Sequence, residues 1–499
     1  MALHVGALLR QPALRTPDTT ALVDADRGER HSYAALDAAA RRAGAALVRA
    51  GVRPGDRVAL VAANGPAFVA AWFGVLYAGA AVVPVPILSA PPELAFRLTH
   101  ARCVALVHDA GCADLAADAL RLVEGPLRTF DASALAGTGP ALATLVDPPA
   151  DLAMVLYTSG TTGKAKGAAI GHGSLVAHTA GLVQHVLGLR AVDAVLGVLP
   201  LTHSYGIRMA VLAPFYAGGR VVLAGRFDAA ESLRVAADEG VAWLPGVPTM
   251  FRRWAEVPGV PWPDLRWCLS AGAPLPAAIR ERAEARLGAS VRQGYGLTEA
   301  TFSCIDAPPA EAAPATSGRP VWGVEVRLAG DPPLGASGEV LVRGQNLMLG
   351  YLDDPEGTAA VMDEGWLRTG DVGVFDAAGR LRIVDRLKDL ILRGGANVYP
   401  SEVEDALQHH PGVRALAVVG RPDPDLGEEV VAVVVPRGRP GPGFAAELDA
   451  FARARLARNK VPRELALVDA LPLGPSGKVL KRALREGLAR GELTSTPLR

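Results

Sequence analysis

Only six lysines stand among 51 lysines and arginines, and they are not scattered. Lys164 and Lys166 share the stretch Tyr157-Thr-Ser-Gly-Thr-Thr-Gly-Lys-Ala-Lys-Gly167, Lys388 sits in Asp385-Arg-Leu-Lys-Asp389, and Lys478 follows Pro475-Ser-Gly. An ammonium is a compact charge on a flexible stem, whereas a guanidinium is a planar fork. Lysine retained in glycine-bearing loops of an arginine-rich chain points to a phosphate or reacting oxyanion that must meet a point charge. In the first loop, Thr158, Ser159, Thr161 and Thr162 add hydroxyl donors. Gly160, Gly163 and Gly167 let backbone N–H groups close on an anion. The GxxxxGK(S/T) spacing of a P-loop is absent, and residues 168–170 read as a strand, so no helix N-terminus follows directly.

Such groups need a scaffold. Short apolar runs at 58–62, 81–85, 104–107, 152–157, 194–199, 220–223 and 241–244 alternate with helix-length segments at 36–50, 174–188 and 229–239. That alternation predicts α/β layers with largely parallel sheets. No charge occurs from 58 to 92, but Gly65-Pro66, Gly79, Pro84 and Pro86 interrupt this run, which predicts a helix over 66–78 and a buried strand over 81–87 rather than a membrane span. From about 318 the strands shorten (324–328, 338–343, 381–384), as in a small β-rich lobe. After Asp385 a helix runs from Pro400 to His409, followed by strands at 413–419 and 429–435 and a helix at 445–457.

At 499 residues the chain is too long for one core. Its formal net charge of zero supplies no basic field for nucleic acid or an anionic membrane. Cys103, Cys112, Cys268 and Cys304 lack CxxC spacing and read as reduced, buried thiols of a cytoplasmic protein. Neither a GxSxG elbow nor an HExxH metal motif is present.

The glycine loop resembles the signature loop of the adenylate-forming superfamily, which includes acyl-CoA synthetases, adenylation domains and beetle luciferases. Ala165 stands where that family usually has proline. Six further stretches carry the resemblance in order along the chain: Leu199-Pro-Leu-Thr-His-Ser-Tyr-Gly206, Gly294-Tyr-Gly-Leu-Thr-Glu299, Thr369-Gly-Asp371, Gly379-Arg-Leu-Arg-Ile-Val-Asp-Arg-Leu-Lys-Asp389, Gly394-Gly-Ala-Asn-Val-Tyr-Pro-Ser-Glu-Val-Glu404, and Pro475-Ser-Gly-Lys478. The resemblance implies an α/β fold: a large N-terminal domain of two α/β subdomains plus a small β-barrel-like lobe (1–384), a hinge (385–388), and a small mobile α+β C-terminal domain (389–499).

It also implies a reaction and its residues. An organic acid and ATP would give an acyl-adenylate and pyrophosphate, and the acyl group would pass to a thiol, with CoA foremost. Lys478 would bridge the attacking carboxylate and the α-phosphate, Glu299 would hold Mg²⁺, and Thr298 would contact the α-phosphate. Thr158, Ser159, Gly160, Thr161, Thr162, Gly163, Lys164 and Lys166 would cradle the phosphates, with Tyr295 and Gly296 beside the nucleotide. Asp371 would accept the ribose hydroxyls and Arg386 would add a ribose or phosphate contact. His203 and Tyr205 would line the acid pocket, with Trp243, Gly246, Ala271, Gly272 and Ala273 on its other walls, favouring a compact or aromatic acid. Asp385 and Lys388 would form the hinge. His172 would support the phosphate loop, and Arg393 would neighbour a pantetheine channel. Arg208 reads as a solvated or structural arginine, with contact to a second carboxylate as its alternative.

Other acceptors stay open at this level: a carrier-protein thiol, an amine, or activation of a non-carboxylate oxyacid. A non-catalytic nucleotide-binding protein is disfavoured because Lys478, Glu299, Asp371 and Arg386 are all present. No nucleic-acid partner and no membrane span are expected, and a homodimer is left open.

Overall fold

Apolar runs become neighbouring strands because each buries both faces under helices, and parallel pairing follows from the helical crossovers. In the computed structural model, which describes residues 4–158, 165–259, 264–310, 312–313, 315–473 and 479–498, a nine-stranded sheet runs in the order Arg319–Pro320, Thr301–Ile305, Ser290–Leu297, Trp267–Ala271, Val241–Gly246, Ala194–Gly197, Arg220–Leu223, Thr20–Asp24, Glu29–Ser32. Its six central strands are parallel. Leu244, Cys268 and Val291 pack on one face against Phe251 and Trp254 of helix Pro248–Glu256 and Ala283 and Leu287 of helix Ala277–Leu287. Burying each large apolar side chain there contributes about 1.5–3 kcal/mol.

A seven-stranded sheet runs Gly350–Tyr351, Lys166–Gly171, Leu152–Thr158, Ala81–Pro84, Arg57–Val61, Ala105–His108, Arg128–Asp131. Helix Pro66–Tyr77 is almost wholly buried, with Phe68, Trp72, Phe73 and Tyr77 in the core. None of the described helices is long and apolar enough to cross a membrane. The helix foreseen over 174–188 is α-helical only from His172 to Leu182; Val183–Leu187 is π-helical and ends at Gly188.

Contacts divide the chain into two compact units. One is Met1–Val326 with Val342–Arg368, the other Arg327–Leu341 with Thr369–Arg499. The division passes through strand Trp366–Phe375, upstream of the hinge expected at 385–388. The reason is local: Asp371 to Phe375 pair antiparallel with Leu381 to Arg386, so this hairpin packs with the chain that follows it. In the second unit a long hairpin, Val413–Asp423 with Gly427–Pro436, is extended in parallel by Glu464–Leu467. Val418, Val430, Ala432 and Val434 face one core with helices Pro400–Gln408 and Phe444–Arg453; Val419, Val431 and Val433 face a second core that holds Leu484. The mixed α/β class and the small α+β C-terminal region thus follow the sequence reading.

Candidate functional site

Ligands of parallel α/β sheets gather at the carboxyl ends of the strands. Three neighbouring strands end in the residues that the motifs single out: Val241–Gly246 at Gly246, Trp267–Ala271 at Ala271, and Ser290–Leu297 in the 294–299 loop. Ala271 lies in register with Gly294. Beyond Ala271, Gly272 (φ +89°) and Ala273 are exposed, so this strand end opens outward.

Tyr205 ties these ends together. Its hydroxyl donates to the Leu269 carbonyl at 2.6 Å and accepts the Gly246 N–H at 3.1 Å. His203 precedes helix Ser204–Ile207 as its N-cap. Gly206 is required there because a Cβ would lie 2.1 Å from the Pro200 carbonyl oxygen. Asn64 fixes the same loop, donating to the Leu199 carbonyl at 2.9 Å and accepting the Leu201 N–H at 3.0 Å. Trp243, in contrast, is fully buried and edge-on to Trp267 at 5.4 Å, a position in the sheet core.

The nucleotide-loop motif is sharply bent. At Gly296 a Cβ would fall 1.9 Å from the Thr301 carbonyl oxygen, so the returning strand can lie against the loop only because no side chain is present. Tyr295 is buried, and Thr298 and Glu299 are half-buried. The Tyr351 hydroxyl donates to Glu299 Oε1 at 2.9 Å. The Lys166 ammonium lies 4.6 Å over the Tyr351 ring and 3.1 Å from Asp354 Oδ2. The Gly357 N–H and the Lys166 ammonium hold the Asp354 carboxyl below its usual range. Lys166 is in register with Thr158, so a chain of contacts, Asp354 to Lys166 to Tyr351 to Glu299, links the base of the glycine loop to the nucleotide loop. Sequence reasoning missed Tyr351 and Asp354. The signal available was Gly350-Tyr351 ahead of an acidic pair, Asp353-Asp354.

No cluster of three or more metal-ligating side chains occurs among the described residues. A lone carboxylate nevertheless fits Mg²⁺, which commonly takes one or two carboxylates together with substrate phosphates and water. Glu299 Oε1 is engaged by Tyr351, and Oε2 has no hydrogen bond among the described residues.

In the second unit Asp371 is buried and pairs with Arg386, whose Nε lies 2.9 Å from Asp371 Oδ1. The turn before it is fixed by Thr369, whose hydroxyl donates to the Val340 carbonyl at 2.8 Å and accepts the Asp371 N–H at 3.1 Å. Asp385 Oδ2 accepts the Ser401 N–H at 2.9 Å, at the start of helix Pro400–Gln408. Lys388 is exposed in the next turn, and its neighbour Asp389 pairs with Arg485 at 2.7 Å. Arg393 is buried, 2.9 Å from Glu429, and donates to the Asn459 carbonyl at 2.7 Å.

Ser159, Gly160, Thr161, Thr162, Gly163, Lys164 and Lys478 lie outside the described residues. His172, expected to support the phosphate loop, accepts the Val5 N–H at Nδ1 (3.2 Å) and packs on the His4 ring at 4.5 Å. Arg208 is not solvated; it is 1% exposed. All four cysteines are free and buried, and burial pushes the Cys103 and Cys112 thiols up to about 12.

These loops and strand ends are those of a recognisable class. Residues 9–352 match the family described as AMP-binding enzyme, and residues 402–478 match the AMP-binding enzyme C-terminal domain. The chain belongs to the AMP-binding enzyme family. Among its relatives, it is 38% identical over 469 residues to a feruloyl-CoA synthase of an Amycolatopsis species, covering 91% of this chain and 93% of that one. It is 36% identical over 501 residues to a sulfoacetate–CoA ligase of Cupriavidus necator, covering 96% and 97%. Among solved structures it is similar to ATP-bound MatB from Rhodopseudomonas palustris, with 32% identity, a TM-score of 0.90, and coverage of 97% of this chain and 99% of that chain.

Proposed function

We propose that this chain is an ATP-dependent acid:CoA ligase: it joins an organic acid to AMP with release of pyrophosphate, then transfers the acyl group to the CoA thiol. The observation that carries this reading is near full-length similarity to CoA ligases, taken with a nucleotide loop whose Glu299 is already held by Tyr351.

A carboxylate is ionised at neutral pH, so its attack on the α-phosphorus needs no general base. The barrier is the approach of an anion to a polyanion, and it falls when positive charge and donors are placed in advance. Lys478 supplies the charge between carboxylate and α-phosphate. The hydroxyls and N–H groups of Thr158, Ser159, Gly160, Thr161, Thr162 and Gly163, with Lys164, cradle the phosphates. Lys166 acts at one remove, by holding Tyr351 and through it Glu299. Thr298 donates to the α-phosphate. Glu299 holds Mg²⁺, which would screen the phosphate charge when bound. Asp371 takes the ribose hydroxyls, with Arg386 beside it. A hinge at 385–388 turns the segment 389–499 between the two half-reactions, exchanging Lys478 for a path to the thiol.

His203, Tyr205, Gly246, Ala271, Gly272 and Ala273 border the acid, and Trp243 supports them from the sheet core. Relatives named for acids as different as ferulate and sulfoacetate leave the acid to be read from this chain's own residues. The test is a panel of acids assayed for AMP and pyrophosphate, with and without CoA. Acid-dependent AMP formation that yields a thioester with CoA supports the proposal. Absence of AMP with every acid overturns it.

A further inference from the structure

Arg208 opens the π-helical segment Arg208–Leu212 and is 1% exposed. Its Nη1 lies 3.3 Å from Nδ1 of His178. His178 is itself fully buried, and its Nε2 lies 2.8 Å from the Phe302 carbonyl oxygen, which can only accept; Nδ1 is therefore the unprotonated nitrogen. It accepts from Arg208 or from the Thr301 hydroxyl at 3.0 Å. Burial, reinforced by the Arg208 charge, holds His178 well below its usual range, so the ring stays neutral and is no counter-ion. Among the described residues no carboxylate pairs with Arg208. Burial pushes the guanidinium down to about 9, which still leaves it a cation at neutral pH. A buried cation without a counter-ion is costly for a fold to hold.

Two of the guanidinium donor groups are unused. Nε and Nη2 of Arg208 are buried and have no hydrogen-bond partner among the described residues. Those two groups form one edge of the guanidinium, the edge that offers two parallel N–H bonds to the oxygens of a single carboxylate or sulfonate. Contacts on the Nη1 side join the residue to the strand ends. Arg208 lies one turn after Tyr205, whose hydroxyl holds Gly246 and Leu269. Phe302, whose carbonyl binds His178, packs its ring against Tyr205 at 5.2 Å. On the same turn, the Ser204 hydroxyl is also buried without a partner among the described residues.

We propose that Arg208 is the counter-ion for a second anionic group, a carboxylate or sulfonate, at the end of the acid remote from the carboxylate that is activated. The inference rests on the acid-activating reading and names its substrate class as dianionic acids.

The test measures pyrophosphate release with ATP, Mg²⁺ and CoA over malonate, succinate, glutarate, sulfoacetate and terephthalate. Each is run beside the monoacid that carries methyl in place of the second anion. At least one dianionic acid should exceed its partner in kcat/KM by roughly 10²-fold, the scale of a buried charge pair losing one member. Arg208→Met should collapse that ratio through the KM of the dianionic acid. In thermal unfolding without ATP, the preferred dianionic acid should raise the wild-type midpoint but not that of Arg208→Met, which should be at least as stable as wild type once the buried charge is gone. The proposal is overturned if wild type prefers the monoacid in every pair, if Arg208→Met loses both acids of a pair equally, if it raises the KM for ATP alike with every acid, or if it fails to fold. Failure of the ligase reading looks different: no acid releases pyrophosphate, and differential thermal stabilisation by dianionic acids still decides the role of Arg208.

Discussion

Arg386 Nε lies 2.9 Å from Asp371 Oδ1, in a strand register that sets the two residues directly opposite each other. The acid is buried while the Arg386 side chain is 47% exposed, so water screens the pair from one side. Such a pair contributes at most about 1 kcal/mol to stability. Its larger effect is to fix the carboxylate that is proposed to receive the ribose.

Arg386→Gln should therefore cost less than about 1 kcal/mol in urea unfolding. The KM for ATP should rise by about tenfold, the equivalent of one hydrogen bond to a charged group. Asp371→Asn, which keeps the shape but offers one acceptor oxygen, should raise it further. Initial rates against ATP concentration check both variants. An unchanged KM for ATP in Asp371→Asn would place the ribose elsewhere.

Tyr351→Phe isolates a single contact. It removes the hydroxyl that donates to Glu299 and keeps the ring beneath Lys166. A hydrogen bond to a charged group contributes about 1.5–3 kcal/mol, so adenylate formation should slow by roughly 10–100-fold. The Mg²⁺ concentration for half-maximal rate should shift as Glu299 loses its anchor. Tyr351→Ala also removes the surface over which Lys166 sits and should do more harm. Isotope exchange between pyrophosphate and ATP reads this step alone.

Much of this site could be read from spacing, and the reasons are local. The strand ends at Gly246 and Ala271 and the loop at 294–299 announce themselves because glycine and alanine are needed wherever backbone crowds backbone, as at Gly206 and Gly296. Contacts made across the sheet leave no such trace. Tyr351 reaches Glu299 only because strand Gly350–Tyr351 pairs with Lys166–Gly171, a register that no periodicity encodes. Arg208 looks solvated in the sequence because arginine usually is. Its burial follows from the helical segment lying under the central sheet strands. The packing of residues 369–384 with the chain that follows them is likewise not legible in composition, because a hairpin register carries it.

The proposed hinge makes a prediction of its own. Asp385 accepts N–H groups from Ser401 and from Arg386 (2.8 Å), and the Ser401 hydroxyl donates to the Val384 carbonyl. Asp385→Ala leaves the Ser401 N–H without its acceptor, a loss of about 1 kcal/mol by analogy with helix caps. Thioester formation from supplied acyl-adenylate should change more than adenylate formation, because the start of helix Pro400–Gln408 is tied to the residue about which rotation is proposed. Lys388→Pro restricts the backbone at the same place and should impair the same step. Single-turnover assays of each half-reaction separate the two, and equal losses in both would argue against a hinge here.

His172 contributes to the acid limb of stability, beside the other buried imidazoles His4 and His178. Burial, with a smaller contribution from His4, pushes its imidazole down to about 3, against an ordinary value near 6.5. Nδ1 accepts the Val5 N–H, so protonation there breaks a buried bond as well as introducing a charge. Between about 6.5 and about 3 the unfolded chain binds a proton that the folded chain refuses, and stability must fall as pH falls through that window. Above it the contribution of His172 is constant. Denaturant midpoints measured from pH 8 to pH 5 should decline for wild type, and His172→Gln should flatten the part of the slope due to this residue. His4, whose imidazole burial also lowers, contributes in the same direction, so the double variant should be flatter still. A slope that His172→Gln leaves unaltered would mean that the N-terminal segment carrying Val5 and His4 has already detached before His172 takes up its proton.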